Sequence, residues 1–459
     1  MTKNSSRAIL GIILFFQLLF GVMYAVRTPH WQAPDEPAHF NYVRVLAETA
    51  TFPILQQGDY DQAYLEKIKA AKFPPELAID SIRYEAHQPP LYYVVALPMY
   101  LVARALNLDV VLALRLFNVV LAVFLSLLAF HIFRFVFPSN PLLRLVGVGI
   151  IATLPMHIAM SAAINNDTLA EVVVAVILWL SIVRLNGKMN RTRFFVLGGI
   201  VYGIALLTKT TIYASAALLI LGELGYQQIS YARQEASAAR PAAVKPRRAA
   251  LLSTGKTLLP LFAISLALSI FWFARNAAVY GIGDLLGWQR HDAVVAGQPT
   301  TAQWIAANGL RNTLIDLFAI SFKSFWAQFG WMGVLVNDRI YVFLFILSAA
   351  ATLGALFLLA RLWRERNSFP GETRWTWLLL SALLVLVIAA DAYYNLKFFQ
   401  PQGRYLFYAL IPIAAWWSGG LNELLNARYA RLVFALLYIV MLALDYISLA
   451  WFIVPQLAR

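Results

Sequence analysis

Apolar runs of about 17–25 residues, long enough to cross a bilayer as a helix, recur along the chain between short polar segments. They lie at approximately 8–26, 113–137, 143–163, 168–185, 194–208, 211–226, 257–279, 340–362, 375–392, 404–418 and 432–453. The pattern predicts an all-α polytopic membrane protein with about eleven transmembrane helices. The first run lacks a small-residue cleavage site and reads as a retained helix rather than a signal peptide. No inverted repeat of the transporter kind stands out.

One further apolar run, Pro89 to Leu106, is short and broken by Pro98. Its placement decides the topology, because Lys and Arg in short loops mark the cytoplasmic side. Lys3 and Arg7 put the N-terminus in the cytoplasm. Were 89–106 to span, the basic loops after it would all lie outside. As a re-entrant or juxtamembrane helix it leaves Arg134, Arg144, Arg184, Lys188, Arg191, Arg193, Arg361, Arg364, Arg366, Arg374, Arg428 and Arg431 inside. The chain then reads as a single membrane domain over 1–459, with its C-terminus outside. A long first extracytoplasmic loop with juxtamembrane helices covers 27–106, and a second covers 280–339. Between them, 227–256 is rich in Ala, Arg and Pro and is expected to be a flexible cytoplasmic linker against anionic lipid heads.

Composition agrees with a bilayer partner: 61% of residues are hydrophobic, 13% are charged, and the mean hydropathy is +0.66. The net charge of +14 resides mostly in short segments between apolar runs, so nucleic acid is not the implied partner. There is no cysteine, which excludes disulfides and thiolate metal sites.

This topology gathers scattered polar residues at one face of the membrane. They are Asp35, Glu36 and His39; Glu85, His87 and Gln88 before Pro89-Pro90; Asn165-Asn166-Asp167; Thr208-Lys209-Thr210; Arg275-Asn276; and Gln402-Gly403-Arg404-Tyr405. Carboxylates at that depth cost several kcal/mol and are usually kept for chemistry or ion pathways. Asp35 and Glu36 are read as catalytic, although Asp-Glu-Pro is also an ordinary helix start. Asp167 carries the same two readings. Lys209, Arg275 and Arg404 run against the positive-inside tendency, and a bound anion would account for them; singly, each could snorkel or pair with a carboxylate. His87 and Gln88 could instead satisfy backbone groups ahead of the prolines. Asp35, His39, Glu85 and His87 are metal-ligand types, but their spacing matches no zinc motif, and no metal or cofactor is assigned. The stretch Phe322 to Trp331 reads as an interfacial aromatic belt or as a pocket wall.

Asp35-Glu36 after a first span, Glu85-Ala86-His87-Gln88-Pro89-Pro90-Leu91-Tyr92-Tyr93, Asn166-Asp167, Leu207-Thr208-Lys209 and Gln402-Gly403-Arg404-Tyr405 together resemble the GT-C membrane glycosyltransferases. That superfamily includes the protein O-mannosyltransferases, the bacterial aminoarabinose transferases of lipid A, and a bacterial branch in which Pro-Asp-Glu-Pro-Ala-His and Gln-Gly-Arg-Tyr recur. The resemblance runs from about residue 8 to 420. It implies an inverting glycosyltransferase of the plasma (inner) membrane that uses a polyprenyl-phosphate sugar donor and a glycan, lipid or protein acceptor outside the cytoplasm. It implies Asp35 as base, Glu36 as its supporting partner, and Lys209, Arg275, Arg404, His87 and Gln88 at the donor phosphate. His39, Glu85, Tyr92, Asn166, Gln402 and Tyr405 would line the substrate pocket. His87 and Gln88 stand where aminoarabinose transferases place a phosphate-binding Lys, a departure for which the other cations would compensate. The competing class is a transporter or lipid flippase, which would place ionisable residues near the midplane.

Overall fold

The computed structural model describes residues 2–237 and 246–458. The first membrane helix, α1 (Lys3–Arg27), leads into a loop that folds as α2 (Glu36–Thr49), α3 (Gln62–Ala70), a 3-10 turn (Tyr84–His87) and α4 (Leu91–Ala105). A bundle follows, made of α5 (Val110–Val136), α6 (Pro141–Ala152), α7 (Pro155–Ser161), α8 (Asp167–Leu185), α9 (Arg191–Thr208), α10 (Ala216–Ser237) and α11 (Pro246–Tyr280). The second loop holds α12 (Trp288–Val294), α13 (Thr301–Asn308), α14 (Leu310–Trp326) and a small antiparallel hairpin. In the hairpin, β1 (Gln328–Phe329) pairs with β2 (Val334–Leu335), Gln328 opposite Leu335. The chain ends with α15 (Asp338–Arg364), α16 (Gly371–Lys397), α17 (Leu410–Leu424), α18 (Ala430–Ile447) and α19 (Val454–Leu457).

The protein is an all-α polytopic membrane protein. Among the described residues, 8 helices are long and apolar enough to cross a membrane, or up to 9 if α6 and α7 are one bent span. The expected span 143–163 is therefore not one straight helix. It turns by 61° at Thr153-Leu154, where Pro155 opens α7 without a backbone N–H to continue the earlier helix. The expected spans 211–226 and 404–418 also take another form. Each opens as a 3-10 helix, Thr210–Ser215 and Gly403–Ala409, before α10 and α17 begin. The last run likewise changes register, passing from α18 into a π-helical stretch, Ser448–Ile453.

α4 has 15 residues, which at 1.5 Å each reach about 22 Å against a hydrocarbon core of about 30 Å. The segment expected as a linker, 227–256, is helical at both ends as the tail of α10 and the start of α11; residues 238–245 lie outside those described. α8 is the central helix, with 83% of its most apolar window buried, as its all-round hydrophobic sequence requires. α15 and α17 approach closely because both carry glycine at the crossing: a Cβ on Gly354 would stand 2.1 Å from the Gly420 carbonyl oxygen.

Candidate active site

The site is assembled at helix breaks, where backbone direction changes and side chains need not follow a helical face. Asp35 precedes α2, Asp167 opens α8, Lys209 follows α9 in extended conformation, and Arg404 lies in the 3-10 helix Gly403–Ala409. Asp35 adopts the left-handed region, with φ 66°, and makes no side-chain cap to α2. Holding it there costs about 1–2 kcal/mol, less for Asp or Asn than for most residues. The conformation turns the carboxylate away from α2. Its Oδ1 accepts from the Tyr84 hydroxyl at 2.7 Å and its Oδ2 from Arg404 Nη2 at 2.6 Å.

Arg404 links two ion pairs. Besides binding Asp35, it lies within electrostatic reach of Asp167, whose Oδ1 accepts from Lys209 Nζ at 2.5 Å and from the Tyr408 hydroxyl. Arg404 is buried, and its Nε and Nη1 have no hydrogen-bond partner. Gly403 makes this placement possible. Its N–H donates to Ser324 Oγ at 2.7 Å, and a Cβ there would stand 2.2 Å from the Ser321 carbonyl oxygen on α14.

Other polar atoms in these segments are also buried without partners: Glu85 Oε2, Gln88 Oε1, Gln402 Oε1 and both amide atoms of Asn166. In a folded interior such groups are normally paired, so several in the segments around one site leave it able to bind a polar ligand. His39 is hydrogen-bonded to the Tyr93 hydroxyl at 2.9 Å and lies within electrostatic reach of Glu85, Lys209, Asp35 and Asp167. Tyr93 stacks on Tyr42 at 3.5 Å, and the Tyr42 hydroxyl donates to the Gln88 carbonyl. These contacts fasten α2, α4 and the segment before Pro89 into one wall. Tyr405 donates to Gln400 at 3.4 Å and lies edge-on to Tyr394.

Burial alone would raise the Asp35 carboxyl, but the Arg404 guanidinium, with the Tyr84 hydroxyl and His39, outweighs it and holds the group below the usual carboxylate value. His39 is pushed down chiefly by burial, so it is neutral near pH 7. Burial, with His291 beside it, pushes His87 well down. Among the described residues no group of three or more histidines and carboxylates is arranged to hold a metal ion.

Four expected site residues are engaged elsewhere. Glu36 is fully buried with both oxygens engaged: Oε1 accepts from Arg115 Nε at 2.7 Å and the Ile164 N–H at 3.2 Å, and Oε2 from Arg115 Nη2 at 2.6 Å and the Trp31 N–H at 2.9 Å. These contacts clamp Glu36 between α5 and the end of α1, whereas Asp35, ahead of the helix in a left-handed conformation, reaches Tyr84 and Arg404. Arg275 donates to the Pro53 carbonyl at 2.6 Å and to Asn276, and lies over the Trp272 ring, so it ties α11 to the first loop. Tyr92 is fully buried, edge-on to Tyr93, and belongs to the core. His87 bonds the Tyr84 carbonyl and packs against His291 at 4.7 Å.

Arg115, Tyr84 and Tyr408 were not singled out from the sequence. Arg115 had a readable signal, a lone arginine inside an apolar run, which almost always pairs. It also donates to the carbonyls of Ala25, Thr28 and Pro29, so it pins the end of α1 to the start of α2. The two tyrosines had none, since tyrosine is common throughout the chain.

No family model matches this sequence, and no curated protein does. Among solved structures, the chain is similar to ArnT from Cupriavidus metallidurans bound to undecaprenyl phosphate, with 12% identity and a TM-score of 0.49 over 100% of this chain and 74% of that one. It is also similar to the archaeal oligosaccharyltransferase AglB from Archaeoglobus fulgidus, in complex with an inhibitory peptide and a dolichol-phosphate. There the identity is 11% and the TM-score 0.49, over 99% of this chain and 55% of that one.

Proposed function

We propose that this protein is an inverting glycosyltransferase that moves a sugar from a polyprenyl-phosphate-linked donor to an acceptor hydroxyl at the extracytoplasmic face of the bacterial inner membrane. The observation that carries this reading is Arg404, which holds Asp35 through one nitrogen while Nε and Nη1 remain buried without partners beside the Lys209–Asp167 pair. Unanswered donors on a buried cation are costly, and a phosphate supplies the oxygens and charge that satisfy them. The outer face of α14, the helix that supports Gly403, is an open apolar groove of ≈ 730 Å³ lined by Leu310, Leu314, Ile315 and Phe318. A polyprenyl tail is matched to such a surface.

Asp35 takes the proton from the acceptor hydroxyl as that oxygen bonds to the anomeric carbon. The bond from the carbon to the phosphate oxygen breaks, its electron pair leaves with the polyprenyl phosphate, and Arg404 and Lys209 meet the added negative charge. Without donor, Arg404 keeps Asp35 weakly basic. A phosphate drawing on the same guanidinium loosens that hold, so Asp35 gains basicity as the donor arrives. Glu85, Gln88, Gln402 and Asn166 offer their unpartnered atoms to sugar hydroxyls.

The test is release of undecaprenyl phosphate from a panel of undecaprenyl-phosphate-linked hexoses by the protein in nanodiscs, with bacterial envelope extract as acceptor. Release that Asp35→Asn abolishes supports the reading. Lipid flux across liposomes without release from any donor would replace it with transport.

A further inference from the structure

Asp445 lies on α18, is fully buried, and has neither carboxylate oxygen hydrogen-bonded. No cationic side chain pairs with it among the described residues. An isolated carboxylate in an apolar interior is costly as an anion, so it is either held neutral by a proton or balanced by a positive charge. The groups around it are neutral oxygens. Ser448, one turn further along the same face and fully buried, has an unpartnered Oγ. That Oγ lies beside the Tyr24 hydroxyl, whose proton is directed at the Asp445 main-chain carbonyl at 2.9 Å. The Tyr438 hydroxyl, two turns earlier, is also buried without a partner. Asp445 thus lies within electrostatic reach of the Tyr24 and Tyr438 hydroxyls. The helix changes to π-helical geometry at Ser448, a distortion frequent at functional positions.

We propose that Asp445, Ser448 and Tyr24 form a buried site for a monovalent alkali cation. One carboxylate among neutral oxygens balances a single positive charge, whereas a divalent ion would leave an excess charge in the core. Hard oxygen ligands favour an alkali ion over a transition metal. Tyr24 is three residues from the end of α1, and its ring meets Phe329 of the hairpin edge-on at 6.4 Å. Occupancy therefore fastens α18 to α1 below the loop that carries Asp35, independently of the glycosyltransferase reading.

The test is thermal unfolding of the whole protein in nanodiscs at pH 7.5, with choline exchanged for sodium, potassium or lithium at constant ionic strength. One alkali cation raises Tm saturably in the wild type. Asp445→Asn loses the response, and Ser448→Ala needs about tenfold more cation for the same shift, the loss of one ligand interaction. The proposal is overturned if choline and all three alkali ions give one Tm, or if Asp445→Asn responds as the wild type does. A pH dependence of Tm in choline that Asp445→Asn removes, with no response to alkali ions, assigns a proton to Asp445 and also overturns it. Should Asp445→Asn fail to fold, the half-saturation point of Ser448→Ala decides.

Discussion

In the proposed reaction Asp35 and Arg404 divide the chemistry between them, and substitutions separate their parts. Asn tolerates the left-handed backbone that Asp35 adopts, so Asp35→Asn removes the proposed base without disturbing α2. Its expected effect is a loss of transfer of about 100-fold or more with the protein still folded, read by release assay and Tm together. An Asn variant that retained a tenth of the activity would exclude Asp35 as base. Arg404→Ala is expected to weaken undecaprenyl phosphate binding by about 10- to 100-fold, the worth of charge-assisted hydrogen bonds. Titration of the lipid into wild type and variant checks this, and equal affinities would remove Arg404 from the phosphate site. Arg404→Lys should recover only part of the loss, since an ammonium cannot hold Asp35 and reach outward with the same fixed spread of donors.

Helix junctions do more here than helix interiors. The pair Glu36–Arg115 joins α1, α2 and α5, and both side chains are fully enclosed. Removing one partner strands the other as a buried charge, so Arg115→Ala is expected to cost about 3–5 kcal/mol and to lower Tm markedly, far more than Asp35→Asn. A Tm unchanged by Arg115→Ala would mean that water reaches the pair. Gly403→Ala is expected to push α14 away from the 3-10 helix, because the added carbon would overlap the Ser321 carbonyl. Weakened lipid binding together with a lower Tm would report that displacement, and unchanged binding would show that α14 does not position Arg404.

Taken together, the buried histidines make stability depend on pH. His39 and His87 are both held below the ordinary value of 6.5, chiefly by burial. Unfolded chains take up protons near 6.5 while the folded protein stays neutral there. Stability is therefore fully present above that value and is lost as pH falls through it towards the folded values. Asp35 acts in a lower window, its contribution present above the unfolded carboxyl value of 3.8 and lost only below it. Tm is expected to drop between about pH 7.5 and 5.5. His39→Gln should flatten the profile in that window, and a variant with an unaltered slope would clear His39 of the effect.

Length and hydropathy of the runs were enough to establish a polytopic helical membrane protein, because a bilayer forces backbone hydrogen bonds into helices of set length. The shortness of 89–106 was legible for the same reason. The resemblance implies Asp35 as base with Glu36 as its supporting partner, but the pairing of Glu36 with Arg115 was not legible. Asp35 and Glu36 are neighbours with identical chemistry, and only the left-handed turn at Asp35 and the distant Arg115 send them to opposite duties. Arg275 and Arg404 likewise look alike in the chain. One meets main-chain carbonyls at Pro53 and the other meets Asp35, 369 residues away, because partners of that separation are set by helix packing and carry no local signal.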